Sequence, residues 1–425
     1  MGRPGARSDL GPGSKARHAA RGLAAMLLFA MPAGLSAQES GVKVPALVLA
    51  DGAPRCRGSA GYAADFEGRR TFLWRPQWLE SIRQDPAAVK AVTDAGDKAI
   101  GGPLYSVTDK PQPVPGASPN EYASIGPYWW PDPKKADGTP YIRRDGEVNP
   151  QRNGPEFDKD RLRNLARDVR ALSLAAYVSG DERYSSRAAE LVRRWFLDPA
   201  TRMSPNMNFA QGIPGRVDGR AEGIIEASDL ATIAEAVGLI EPTGALSREE
   251  LAGLRQWYAD FAMWMATSEN GEAEMLKTNN HGVFYDFYLA HFALFAGLEG
   301  TARSVVDSFL DFRLGAQMDR QGRFIEELKR TRSWHYSHFV VIGAAKLATI
   351  GECLDRDLWN SQLSDGRSLQ TARSFLLRYA GNPESWPFSD IDLSGGKLGR
   401  MRLTAMQTEQ LFERESLSGG ADALP

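Results

Sequence analysis

Between residues 155 and 380 apolar side chains recur every three and four positions, and this spacing constrains the fold more than any other feature. In PEFDKDRLRNLARDVRALSLAAYVSGD, the residues Leu162, Leu165, Val169, Leu172 and Ala176 form one apolar stripe, the pattern of a helix with a single buried face. Gly180-Asp181 stops that helix and RYSSRAAELVRRWFL begins another. Ser247 and Glu250 make an S-x-x-E capping box ahead of Leu251, Leu254, Tyr258, Phe261 and Met265. The pattern returns over 219–240, 301–314, 338–350 and 367–380. Alternating β patterns are scarce, so a sandwich, jelly roll or β-helix is excluded. Consecutive amphipathic helices leave a solenoid or a toroid, and no fixed-period repeat marks a solenoid. The expected fold is all-α, an (α/α) toroid or incomplete barrel of helical hairpins.

The N-terminus reads as an address. Arg3, Arg7, Lys15, Arg17 and Arg21 precede the apolar run GLAAMLLFAMPAG, and Leu35-Ser36-Ala37 offers small residues for cleavage. That order predicts a signal peptide over 1–37, a periplasmic or secreted protein, and one domain over 38–425. The apolar run is too short to span a bilayer. The chain holds 51 Lys and Arg against 53 Asp and Glu. Five of the basic and one of the acidic residues lie in 1–37, which leaves 46 against 52, a net of −6. Such a balance argues against nucleic acid as partner but allows a locally positive cleft for an anionic sugar. Export permits a disulfide between Cys56 and Cys353; the sequence leaves open whether they pair.

Two stretches break the helical rhythm: 111–154, containing SIGPYWWPDPKKADGTPYIRRDGEVNP, and 203–217, MSPNMNFAQGIPGRV. Long irregular segments in a compact domain tend to carry function, so these are the expected cleft walls. Outside the leader the histidines are His281, His291, His335 and His338. His291 and His338, each followed by phenylalanine on a helix, read as structural. His281 follows Asn279 and Asn280 at a helix start, where Asn caps and backbone N–H groups attract anions, with Tyr285 and Tyr288 one and two turns on. The second cluster gathers Lys329, Arg330, Arg332, His335 and Tyr336, interleaved with Trp334 and Phe339.

Four chemistries can be tested on these residues. A zinc hydrolase lacks an acidic partner at a suggestive spacing beside His335-x-x-His338. A serine hydrolase lacks its G-x-S-x-G elbow. A glycosidase needs two placed carboxylates, which the acidic residues Asp218, Glu222, Glu226, Asp286, Glu326 and Glu327 keep open. β-Elimination on a uronate needs donors that neutralise the C5 carboxylate, a base for the C5 proton and an acid for the departing O4. Asn280, His281 and Arg330 or Arg332 are suitable donors. Tyr336 can be base and acid if neighbouring cations depress its pKa. This last scheme needs no metal or other cofactor.

The Asn279-Asn280-His281 motif, the KRTRSWHY segment at 329–336 and the SIGPYWWPDP…PYIRRDGEVNP stretch together resemble the alginate lyase superfamily of helical-toroid polysaccharide lyases, most strongly over 100–380. The resemblance implies that Asn280, His281 and Arg330 or Arg332 handle the substrate carboxylate and that Tyr336 transfers the protons. It implies an enzyme that cleaves a β-1,4-linked uronan, either mannuronate as in alginate or glucuronate; a monomer is expected. Tyr128, Trp129 and Trp130 are expected to stack on sugar rings, and Lys134, Arg143 and Arg144 to pair with flanking carboxylates. Asn208, Gln211, Asn279, Tyr285 and His335 are further expected contacts, whereas Arg216 and Arg220 read as structural. The alternatives are a glycosidase on the same scaffold or a non-catalytic uronan binder.

Overall fold

An inner row of helices, each packed on the next, forms the centre of this fold, and further helices lie against it. The structure is a computed structural model that describes residues 52–412, so the expected leader at 1–37 lies outside the described residues. In chain order the helices are α1 (Pro76–Gln84), α2 (Pro86–Ile100), α3 (Lys159–Ser179), α4 (Glu182–Val192), α5 (Ser228–Ile240), α6 (Arg248–Thr267) and α7 (Glu269–Met275). They continue as α8 (Asn280–Ala296), α9 (Glu299–Phe309), α10 (Ile325–Leu328), α11 (Ser333–Glu352), α12 (Leu369–Ala380), α13 (Ile391–Ser394) and α14 (Leu398–Phe412). The inner row runs α3, α5, α8, α11, α14, each packed on the next. Against it lie α2 on α3, α6 and α9 on α8, and α12 on α11. This is the helical toroid expected from the stripe pattern.

Burial follows composition. α8 buries every residue from Gly282 to Phe295, whereas α6 buries only Leu251, Leu254, Trp257, Tyr258, Phe261, Ala262 and Met265 along one stripe. Phe287, Phe292 and Phe295, each buried in α8, contribute roughly 1.5–3 kcal/mol apiece by leaving water. The expected caps form. Gly180 ends α3 in the left-handed region at φ 71° and Asp181 caps α4. Ser247 and Glu250 close their capping box, the serine hydroxyl accepting from the Glu250 amide. The helix predicted over 219–240 starts later: Ala221–Ala227 is a 3₁₀ turn and only Ser228 onward is α-helical.

The irregular stretches carry the few strands among the described residues. β1 (Ala123–Ile125) pairs parallel with β4 (Phe209–Gly212), and β2 (Trp129–Trp130) pairs antiparallel with β3 (Ile142–Arg143). These short pairings hold the two Pro- and Gly-rich stretches together at one end of the inner helices. Cys56 and Cys353 form a disulfide that ties the segment before α1 to the end of α11. Among the described residues no helix is long and apolar enough to cross a membrane.

Candidate active site

The N-termini of α8 and α11 and the two irregular stretches enclose a cleft of about 560 Å³. From α8 and the turn before it come Lys277, Asn279, Asn280 and His281; from α11 and the turn before it come Arg330, His335, Tyr336 and Phe339. The irregular stretches add Tyr128, Trp129, Arg143 and Gln211, and the start of the 3₁₀ turn before α5 adds Arg220 and Glu222.

The start of α8 is held from below. Asn279 caps the helix by accepting from the His281 amide at 3.1 Å. A side chain at 282 would meet the Lys277 carbonyl at 2.2 Å, so Gly282 is required where the turn folds back on itself. Arg313, buried beneath, donates to both oxygens of Asp286 at 2.7 Å and to the Met275 carbonyl at 2.8 Å. This bidentate pair fixes the segment leading into Lys277–His281 to the helix itself.

Two fully buried carboxylates then orient the first turn. Glu274 lies 2.5 Å from His281 Nδ1, which turns the other ring nitrogen away from Glu274. Glu327 accepts from the Asn280 amide nitrogen at 3.0 and 2.9 Å and from its backbone N–H. Burial raises the Glu327 carboxyl, and the Asn280 bonds oppose that rise. Glu327 thus fixes the Asn280 side chain at the first turn of α8, in the lining of the cleft.

Tyr336 sits one turn into α11. Its hydroxyl is 2.7 Å from that of Tyr128, and the Arg330 guanidinium lies 3.7 Å from the ring centroid. Arg330 is held there by Asp145 at 3.1 Å. The expectation that cations depress the Tyr336 pKa does not hold: burial raises it, Tyr128 adds to the rise, and Arg330 only partly offsets them. His335 beside it is pushed down to about 4, first by burial and then by Arg332.

Several expected residues lie elsewhere. Arg332 turns away and donates to Asp392 at 2.9 and 2.8 Å, outside the lining. Trp130 donates to the Glu147 carbonyl at 3.0 Å with Arg144 against its ring, and neither lines the cleft. Lys134 is exposed in the β2–β3 loop. Asn208 accepts from Trp264 at 2.9 Å. Tyr285 is core, its hydroxyl donating to the Met265 carbonyl at 2.9 Å, and Tyr288 is likewise buried. His291 and His338 are buried on Glu235 and Thr408.

Lys277 is a cleft residue that sequence reasoning did not single out; Arg220, read there as structural, and Glu222, held there as a glycosidase carboxylate, line the cleft with it. Lys277 carried one usable signal, its place directly before the Asn-Asn-His turn. Glu222 is bound by Lys277 at 2.8 Å and Arg220 at 3.3 Å. Burial would raise its pKa, but these cations outweigh burial and bring it down to about 2. It is the only carboxylate lining the cleft among the described residues, and it is already neutralised.

A family model described as alginate lyase matches residues 106–386. The crystal structure of an alginate lyase from Bacteroides ovatus is 33% identical over 81% of this chain and 92% of that one, with a TM-score of 0.76. Alginate lyase A1-III from Sphingomonas species A1 is more distant, at 17% identity over 73% and 82% of the two chains with a TM-score of 0.45, a likeness that supports no residue correspondence. No curated protein sequence matches significantly. A helical toroid with a cation-lined cleft, matched by the family model over two thirds of its length and by a solved relative over most of both chains, belongs to the alginate lyase family and is a polysaccharide lyase.

Proposed function

We propose that the substrate is a β-1,4-linked uronan, polymannuronate or polyglucuronate, cleaved by β-elimination in this cleft. One observation carries the reading: Arg143, Arg220, Lys277 and Arg330 line the same cleft as His281 and Tyr336, against a single carboxylate that is already paired. A polyanion gains from that surplus of positive charge. A glycosidase requires two carboxylates, one of them protonated near neutrality. A lone Glu222 ionised down to about pH 2 counts against that alternative.

Cations and His281 take up the charge of the C5 carboxylate, which makes the neighbouring C5–H acidic enough to lose. Tyr336, as phenolate, takes the C5 proton. The electron pair left on C5 forms the C4–C5 double bond while the C4–O4 bond breaks, and the Tyr336 hydroxyl returns the proton to O4. Tyr336 ends as it began, and no water is consumed. In β-linked mannuronate and glucuronate, H5 and O4 lie on one side of the C4–C5 bond, so a single side chain reaches both. The basic start and apolar run of 1–37 support export, and the Cys56–Cys353 disulfide fits that compartment.

The test is ultraviolet absorbance of the new conjugated double bond, with purified protein offered polymannuronate, polyguluronate, glucuronan and hyaluronan. Signal is expected on the first or third, with Tyr336→Phe losing about a hundredfold or more of it. Full activity in Tyr336→Phe would overturn the mechanism. Polymer binding without any double bond would replace the enzyme by a binding protein.

A further inference from the structure

One backbone irregularity in the cleft wall points to a residue that aims its charge. Along β1, Ala123 and Ile125 are two residues apart, yet their partners on β4, Phe209 and Gly212, are three apart. β4 thus carries one extra residue, a bulge, and within it Gln211 adopts φ +50°. A bulge with a left-handed residue favours glycine, because any Cβ there is strained. Glu67 and Asp355, the other non-glycine residues with positive φ among the described residues, are exposed. Gln211 is 4% exposed and lines the cleft.

The side chain kept at this strained position has a definite task. Gln211 Oε1 accepts from Arg220 Nη2 at 2.7 Å, and its backbone carbonyl accepts from Arg220 Nε at 3.1 Å. The bulge makes this double grip possible, since it turns the carbonyl and the side chain of one residue toward one guanidinium. The Gln211 amide is itself anchored, donating to Ser124 Oγ at 2.8 Å, which in turn donates to Glu226 at 2.6 Å. Glu222 meets Arg220 Nη1 at 3.3 Å. Neutral Gln211 therefore holds Arg220 in the lining without cancelling its charge, and part of the guanidinium edge remains for another carboxylate.

We infer that Gln211 is a positioning residue that aims Arg220 at a carboxylate of the bound polymer, making the pair a determinant of affinity for uronate over neutral sugar. The inference rests on the uronan reading above and deepens it. Strain retained at a cleft where glycine is preferred is the mark of a functional constraint.

The test compares Gln211→Gly and Gln211→Asn with wild type. Glycine relieves the strain, and asparagine tolerates the left-handed region but falls a methylene short of Arg220. The expected result is an unchanged or higher melting temperature for Gln211→Gly, with KM raised about tenfold in both variants and kcat within about twofold. Retardation in polyuronate gels, which needs no turnover, should weaken in parallel, and retardation in a neutral glucan gel should not change. A merely structural Gln211 predicts a lower melting temperature for the glycine variant with wild-type KM and retardation, a result that sinks the inference alone. A wild-type protein that neither eliminates nor is retarded by any uronan overturns the uronan reading and the inference with it.

Discussion

Replacing Arg330 by methionine should move the pH dependence of elimination to higher pH. The mechanism needs Tyr336 as phenolate, while burial holds the phenol protonated well above its ordinary range. Below that pKa each unit of pH raises the phenolate fraction tenfold, so kcat/KM should climb with pH across about pH 6 to 9. The Arg330 guanidinium lies 3.7 Å from the ring centroid, over its face. That places its charge about 4–5 Å from the phenolate oxygen, where a unit charge at an effective dielectric of about 20 is worth about 3–4 kcal/mol. At 1.36 kcal/mol per pKa unit this is about 2–3 units. Asp145, 3.1 Å from Arg330, opposes it from further away and cancels roughly half. Asp145 remains in the variant, so Arg330→Met removes the whole guanidinium contribution and should shift the rising limb by about 2–3 units to higher pH. Asp145→Asn, which removes the opposing charge, should shift it the other way. Initial rates at low substrate, followed by ultraviolet absorbance, are carried up in pH until the profile levels off, because only the inflection, and not the height of the limb, separates a pKa shift from lost binding. Coincident limbs for wild type and both variants, or a wild-type rate that falls over this range, would refute the coupling between Arg330 and Tyr336.

Two further outcomes follow from particular placements. Trp129 lines the cleft while Trp130 packs under Arg144 outside it, so Trp129→Ala should raise KM at least about tenfold and Trp130→Ala far less; equal effects would contradict the assigned wall. Opening the Cys56–Cys353 bond by reductant, or by paired serine substitutions, should cost about 2–4 kcal/mol and lower the melting temperature, because the bond closes a loop spanning most of the chain. An unchanged melting curve would show that the ends are held by packing alone.

Much of the fold was legible because helix burial is a local property. The stripe at Leu162, Leu165, Val169 and Leu172, the stop at Gly180 and the capping box at Ser247 each depend on residues within one or two turns, and each forms. The two irregular stretches were likewise visible as breaks in that period, and they do wall the cleft. Asn279-Asn280-His281 and Tyr336 stood out by residue type and converge there. What each side chain faces was not legible, since partners arrive from distant segments. Arg330 and Arg332 look equivalent in KRTRSWHY, yet Asp145 draws one into the cleft and Asp392 draws the other away. Tyr285 follows His281 by one helical turn but belongs to the core. Asn280 stands out as a donor, but the buried Glu327 that holds its side chain comes from a segment 47 residues away. The sign of the Tyr336 shift turned on burial, which outweighs the neighbouring cation that the sequence displays. The sequence by itself therefore determined the helical architecture and the chemical types available, because periodicity and composition act over short range. Only the tertiary structure decided which charges meet, which are spent on each other and which remain for a substrate, because electrostatics depends on distance and desolvation across the assembled cleft.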